Sequence, residues 1–179
     1  FLFGCGSFNQ PSYLLRDGDP RPKYFEQIIQ WQRHLQFDQQ WNEHFIRQVI
    51  RTTALFSKYK GDGDGPSQDV LDSIETDQSQ PDIPDEWMTP REFWEAKMQG
   101  DCEDFASFQW FILAKVLKCP YEVRICAATE GGLVDHAVLR IHLPSGWKIF
   151  QTMPGVGDLD TPFYTPIVEW DDKHIYTFH

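Results

Sequence analysis

Positive charge is scarce in this sequence: 16 Lys and Arg stand against 27 Asp and Glu, a formal net charge of −11. No basic stripe is available to meet phosphates, which argues against nucleic acid as a partner. Solubility or bound cations are the better account of the acidity. Cysteine is scarce as well, with only Cys5, Cys102, Cys119 and Cys126. None of them forms a Cys-x-x-Cys pair, so a zinc knuckle is not expected. Cys119 and Cys126 could pair in an oxidising compartment, but two small buried residues are the favoured reading. No apolar run approaches the ~20 residues that cross a bilayer. Aromatic residues, by contrast, are plentiful at 15%. With that content, a chain of this length suits one domain with a proper core, or one domain plus an N-terminal arm.

Helical periodicity dominates the first half. From Tyr24 to about Leu35, Phe25, Ile28, Ile29 and Leu35 fall near one face. From Trp41 to Tyr59, the positions Trp41, Phe45, Val49 or Ile50, Thr53 and Phe56 line another. His34 and His44 sit in these helices as surface or packing residues. Gly61-Asp62-Gly63-Asp64-Gly65-Pro66 has a faint calcium-loop spacing but lacks the further ligands, and reads as a turn. Val70, Leu71 and Ile74 suggest a short helix. Thr89-Pro90-Arg91-Glu92 carries an N-cap, a proline at the first helical position and an acid at the third. A short helix is expected to follow as far as Met98, stopping at Gly100.

The chain is organised around Gly100-Asp101-Cys102-Glu103-Asp104-Phe105-Ala106. Gly100 and Asp101 suit a turn and an N-cap, and Phe105, Phe108, Phe111 and Ile112 recur at helical spacing in an apolar run extending to about Lys118. Cys102 therefore lies in the first turn of a buried helix, where free backbone N–H groups and the dipole favour a thiolate. The flanking carboxylates oppose that, so activation calls for an imidazole. Beyond Lys118 the pattern alternates. Tyr121 to Ala127, Asp135 to Leu143 and Trp147 to Thr152 are expected as an antiparallel meander packed on the Cys102 helix. Pro166 to Trp170 and His174 to Phe178 either add a strand or cross the sheet. His136 opens the middle strand. Gln151 lies almost symmetrically across the turn at Pro144-Ser145-Gly146, where its amide oxygen can accept from an imidazole N–H.

Trp87-x-Thr89-Pro90, the Gly100 to Ala106 block, His136-Ala137-Val138-Leu139 and the Trp147 to Thr152 strand follow one another in an order that resembles the transglutaminase-like, papain-fold superfamily. They are most similar to its bacterial transglutaminase-like cysteine peptidases. The resemblance covers Trp87 to Thr152. It implies an α+β fold, with a nucleophile helix on an antiparallel sheet and extra helices before it. It also implies Cys102 as nucleophile and His136 as general base. The family's third residue is an Asp, and here that place reads Phe150-Gln151-Thr152, so Gln151 stands in for it; Asp158 and Asp160 are less well-spaced alternatives. In members that process surface adhesins, the acids flanking the cysteine bind calcium, which points to Asp101 and Glu103 as ligands. Helix capping and dipole compensation explain the same two residues without a metal.

Leu2-Phe3-Gly4-Cys5 is similar to the lipobox of a bacterial lipoprotein signal, with Phe3 bulkier than usual. On that reading residues 1–22 are a signal remnant and linker, Cys5 is lipidated, and 23–179 form the transglutaminase-like domain. The alternative is an apolar N-terminus with a free thiol. The combined expectation is a lipid-anchored hydrolase of the bacterial cell envelope or periplasm. It acts on a protein or peptide substrate through a thioester and requires no cofactor, with Ca²⁺ as a candidate bound ion. Two other readings stand beside it: a catalytically degenerate binding or assembly module, and a calcium sensor.

Overall fold

The computed structural model describes residues 41–60, 87–130, 133–153 and 164–178. Several expectations fall outside these residues: the Tyr24 to Leu35 helix, the lipobox at Cys5, the glycine-acid loop, the Val70 to Ile74 helix, and Asp158 with Asp160.

The first described helix, α1 (Glu43–Leu55), starts at Asn42, whose side-chain oxygen accepts the Phe45 N–H at 2.9 Å. Glu43 and Arg47, one turn apart, pair at 2.7 Å. The buried face comprises Phe45, Ile46, Val49, Ile50 and Thr53. Phe56 was expected on that face, but the helix ends one residue before it. Phe56 is instead the C-cap and is 47% exposed. The next residues form β1 (Lys58–Tyr59), so the helical pattern does not persist to Tyr59.

Helix α2 (Pro90–Glu95) has the capping box its sequence announces, with Thr89 Oγ1 accepting the Glu92 N–H and Glu92 accepting the Thr89 N–H. It is shorter than the expected run to Met98. Lys97 and Met98 take left-handed φ values of 60° and 57°, and the chain then forms β2 (Gln99–Gly100), parallel to β1. Gly100 is therefore not the stop of this helix. A Cβ there would lie 2.3 Å from Asp104 Oδ2, so its role is to let that carboxylate approach the backbone.

Helix α3 (Cys102–Phe111) is buried on nearly every side and continues into a wider π-turn, Ile112–Val116, before Lys118 turns left-handed. It lies on a five-stranded antiparallel sheet formed by β3 (Glu122–Glu130), β4 (Leu133–Leu143), β5 (Gly146–Phe150), β6 (Tyr164–Trp170) and β7 (Ile175–Thr177), in the order β5-β4-β3-β6-β7. The meander of β3, β4 and β5 is as expected. The C-terminal stretch adds two strands, and it adds them on the far side of β3. Val123, Ile125, Leu139, Ile141 and Phe150 bury the inner face against Phe105, Phe108 and Ile112. Trp110 Nε1 donates to the Val123 carbonyl at 3.0 Å, stitching helix to sheet. Trp87 and Trp94 pack on Trp170 and Phe108, as a core role requires.

The opposite face holds a fully buried carboxylate, Glu169, which accepts from both Arg124 and Arg140. Both guanidiniums lie over the Trp147 ring, and Arg124 also lies 3.5 Å from the Tyr176 centroid. Cys126 is buried beneath this layer and free, and Cys119 is free as well. Burial raises both thiols, to about 12 for Cys126 and about 11 for Cys119.

Candidate active site

Helix α3 begins at the cysteine. Asp101 is its N-cap in extended conformation, and the Asp101 carbonyl accepts the Phe105 N–H at 3.1 Å. Asp104, wholly buried, accepts the Asp101 N–H at 3.2 Å and the Met88 N–H at 2.8 Å. Asp104 thereby ties the segment before α2 to the residue preceding Cys102. Cys102 is consequently held at the first helical position with little freedom.

The thiol of Cys102 is pushed well above its ordinary range. Burial is the main cause, followed by the Glu103 charge; a 3.3 Å hydrogen bond to Glu103 Oε2 and the Asp101 charge add to it. One influence opposes these: the backbone N–H of Ala137 lies near enough to the sulfur to favour the thiolate. Ala137 follows His136 on β4, the strand against which α3 packs.

His136 Nε2 lies 2.7 Å from Gln151 Oε1. The same oxygen accepts the Thr152 N–H at 2.8 Å and, more weakly, the Met153 N–H at 3.4 Å. Those two donors fix the amide assignment, because an amide nitrogen has no lone pair to accept with. Nε2 must then be the ring donor, and Nδ1 carries the lone pair a general base needs. The Tyr164 ring lies 5.4 Å from the imidazole. Opposite His136, the β3–β4 ladder slips register between Ala128 and Thr129, an irregularity that bends a strand and re-aims its side chains.

Asp101, Glu103 and Asp104 each bring a carboxylate oxygen to within 4.8 Å of the others. Asp101 Oδ1 is buried with no hydrogen-bond partner among the described residues. Hard oxygen donors in this arrangement suit a divalent cation such as Ca²⁺, so the residues present fit the ion that the sequence resemblance implied.

Three participants were not singled out from sequence. Gln109 Nε2 donates to the Thr152 carbonyl at 2.8 Å, and Thr152 Oγ1 donates to the Ala137 carbonyl at 3.2 Å. The signal for Gln109 was present, as a polar residue in the middle of an otherwise apolar helix. For Thr152 and the Ala137 backbone there was none short of the folded contacts.

No family model matches the sequence, and no curated protein matches it. Solved structures do. Legionella pneumophila LapG, EGTA-treated, aligns with a TM-score of 0.55 at 18% identity, over 95% of this chain and 86% of LapG. A second Legionella pneumophila LapG structure aligns with a TM-score of 0.54 at 18% identity, over 94% and 85%. A likeness at this identity carries the fold alone: the chain has an α+β architecture like that of LapG, with the helix that begins at Cys102 laid on an antiparallel sheet.

Proposed function

We propose that this chain is a cysteine hydrolase acting on peptide bonds. The observation that carries the reading is the hydrogen bond from His136 Nε2 to a Gln151 oxygen held by two backbone N–H groups. That bond orients the imidazole on β4, the strand against which the cysteine-bearing helix packs, and supports its reading as a base. In the proposed cycle, His136 Nδ1 removes the Cys102 proton and the sulfur adds to the substrate carbonyl carbon. The oxyanion forms near the Cys102 backbone N–H at the start of α3. The imidazolium returns the proton to the departing amine, leaving a thioester. Water, deprotonated by the same imidazole, adds to the thioester and releases the acid and the thiol. An amine in place of water would give acyl transfer by the same residues.

Gln151 differs from the family's Asp in charge more than in geometry. It orients the ring and fixes its tautomer, but leaves the imidazolium without a neighbouring anion from that side. The cycle is therefore one in which His136 acts as a general base on a neutral thiol.

Calcium belongs to this proposal as an ion held by Asp101 and Glu103, with Asp104 adjoining. The orphaned Asp101 Oδ1 supports it. When bound, the ion would supply positive charge beside the thiol, where the Asp101 and Glu103 charges oppose the thiolate. The proposal also places the protein in the bacterial envelope, lipid-anchored through Cys5, with the Leu2-Phe3-Gly4-Cys5 pattern as support. Mass spectrometry of the native protein, showing a lipid on Cys5 or an unmodified thiol, decides the anchor.

The raised Cys102 thiol, bonded to Glu103, favours a second reading: a degenerate domain that binds or assembles envelope proteins without chemistry. Iodoacetamide labelling at neutral pH separates the two. Rapid alkylation of Cys102 that is lost in His136→Ala supports the hydrolase. Slow alkylation indifferent to His136 supports the binding module.

A further inference from the structure

Gln109 stands about two turns along α3 from Cys102 and is wholly buried among aromatic and aliphatic side chains. Its amide N–H reaches the Thr152 carbonyl, while its Oε1 is buried with no hydrogen-bond partner among the described residues. A side chain serving only to fill that space would leave no such atom stranded, since an unmet buried polar atom destabilises the fold. The useful half of Gln109 is therefore its donor.

Thr152 is the acceptor of that bond and the centre of a small network. Its N–H holds the Gln151 oxygen, its carbonyl holds Gln109, and its hydroxyl donates to the carbonyl of Ala137. The hydrogen bonds run from α3 at Gln109 to Thr152, and from Thr152 to Ala137 beside His136 and to the Gln151 oxygen that meets the imidazole.

We propose that Gln109 and Thr152 are positioning residues, which lock the Gln151 oxygen and the His136 strand onto the helix that carries the nucleophile. This rests on the hydrolase reading for its purpose, though its geometry stands without it. Gln is one methylene longer than Asp and has an extra torsion, so Gln151 needs external support to present its oxygen in one place. The Thr152 N–H and the Gln109 clamp behind it supply that support.

The test uses two readouts on the whole chain: the tautomer of His136 by nitrogen-15 spectroscopy of the ring, and the alkylation rate of Cys102 by iodoacetamide. The unsubstituted protein is expected to show His136 protonated at Nε2. Gln109→Met keeps the bulk and removes the donor. It is expected to keep a cooperative melt while giving mixed His136 tautomers and alkylation slower by about 10-fold, the scale of a sub-ångström misplacement. Wild-type tautomer and rate in that variant would overturn the proposal.

If Gln109→Met does not fold, Thr152→Val and Thr152→Ser replace it. Val loses the bond to Ala137 and is expected to loosen the tautomer, and Ser restores it; a Val variant indistinguishable from Ser overturns the proposal. If the unsubstituted protein alkylates no faster than His136→Ala, the hydrolase reading fails. The tautomer comparison still decides whether Gln109 and Thr152 position the ring.

Discussion

At Gln151 a single side chain sets both the geometry and the charge of the site. Its oxygen accepts from the ring and from two backbone N–H groups, so Gln151→Glu keeps the shape and adds a negative charge. A charge-assisted hydrogen bond stabilises the imidazolium. The variant is expected to raise His136-dependent alkylation of Cys102 several-fold near neutral pH. An unchanged rate would mean that proton transfer to the ring does not limit the reaction. At Gly100 the constraint is steric, and Gly100→Ala would drive a Cβ into Asp104. Overpacking of this kind costs about 1–3 kcal/mol. Because Asp104 holds the Asp101 and Met88 N–H groups, the same variant is expected to disturb Cys102 alkylation as well as lower the melting temperature. The residue scale was also the most legible in the sequence. The Cys102 block stands at a helix start with its own cap. The near-symmetric placing of His136 and Gln151 about the Pro144-Ser145-Gly146 turn sufficed to pair them. Gln109 shows as a polar residue in an apolar helix, but its pairing with Thr152 was not legible, because the two lie far apart along the chain and no local pattern brings them together.

Among the elements, strands were read well because alternation and turn residues agree, and helix ends were read less well. Helix α2 stops at Glu95 through left-handed Lys97 and Met98, a conformation that non-glycine side chains disfavour and sequence does not announce. Helix α1 releases Phe56 to solvent although its spacing fits the buried face. Charge placement in the sheet was equally hidden. Glu169 on β6 is buried between Arg124 and Arg140, and Glu169→Gln would leave two guanidiniums facing a neutral amide. Breaking such a buried group typically costs about 3–5 kcal/mol, and a chemical-denaturation measurement is expected to find a loss near that range. Between α1 and β5 the link is milder. Hydrogen bonds from Lys148 and Arg47 hold the Glu43 carboxyl below its usual range, against the opposing effect of burial. A depressed carboxylate adds stability that is present above its unfolded value of about 4.5 and is lost as pH falls through the lower folded value. The stability gap between the unsubstituted protein and Glu43→Gln, up to about 1 kcal/mol for so accessible a pair, is expected to close as the pH drops below that point.

Over the whole molecule, an excess of acid meets a fold that gathers three carboxylates at the start of its central helix. Asp104 spends its oxygens on backbone N–H groups from two different segments, whereas Asp101 keeps a buried oxygen that no donor among the described residues meets. Crowded carboxylates repel one another and raise the energy of the folded state, since the unfolded chain separates them. A cation that binds only the folded arrangement removes that repulsion and stabilises by mass action, by about 2.7 kcal/mol at a hundredfold excess over its dissociation constant. The melting temperature is therefore expected to rise when Ca²⁺ replaces a chelator in the buffer, and to do so in proportion to the logarithm of the calcium concentration. Asp101→Asn retains an N-cap side chain but loses the charge, so it isolates the metal contribution from the cap. That variant is expected to melt at the same temperature with calcium or chelator, and to lie above the unsubstituted protein in chelator because one source of repulsion is gone. If calcium fails to shift the unsubstituted protein, the acidic trio serves the helix terminus alone. The buried Asp101 oxygen would then be a cost the fold bears without a ligand.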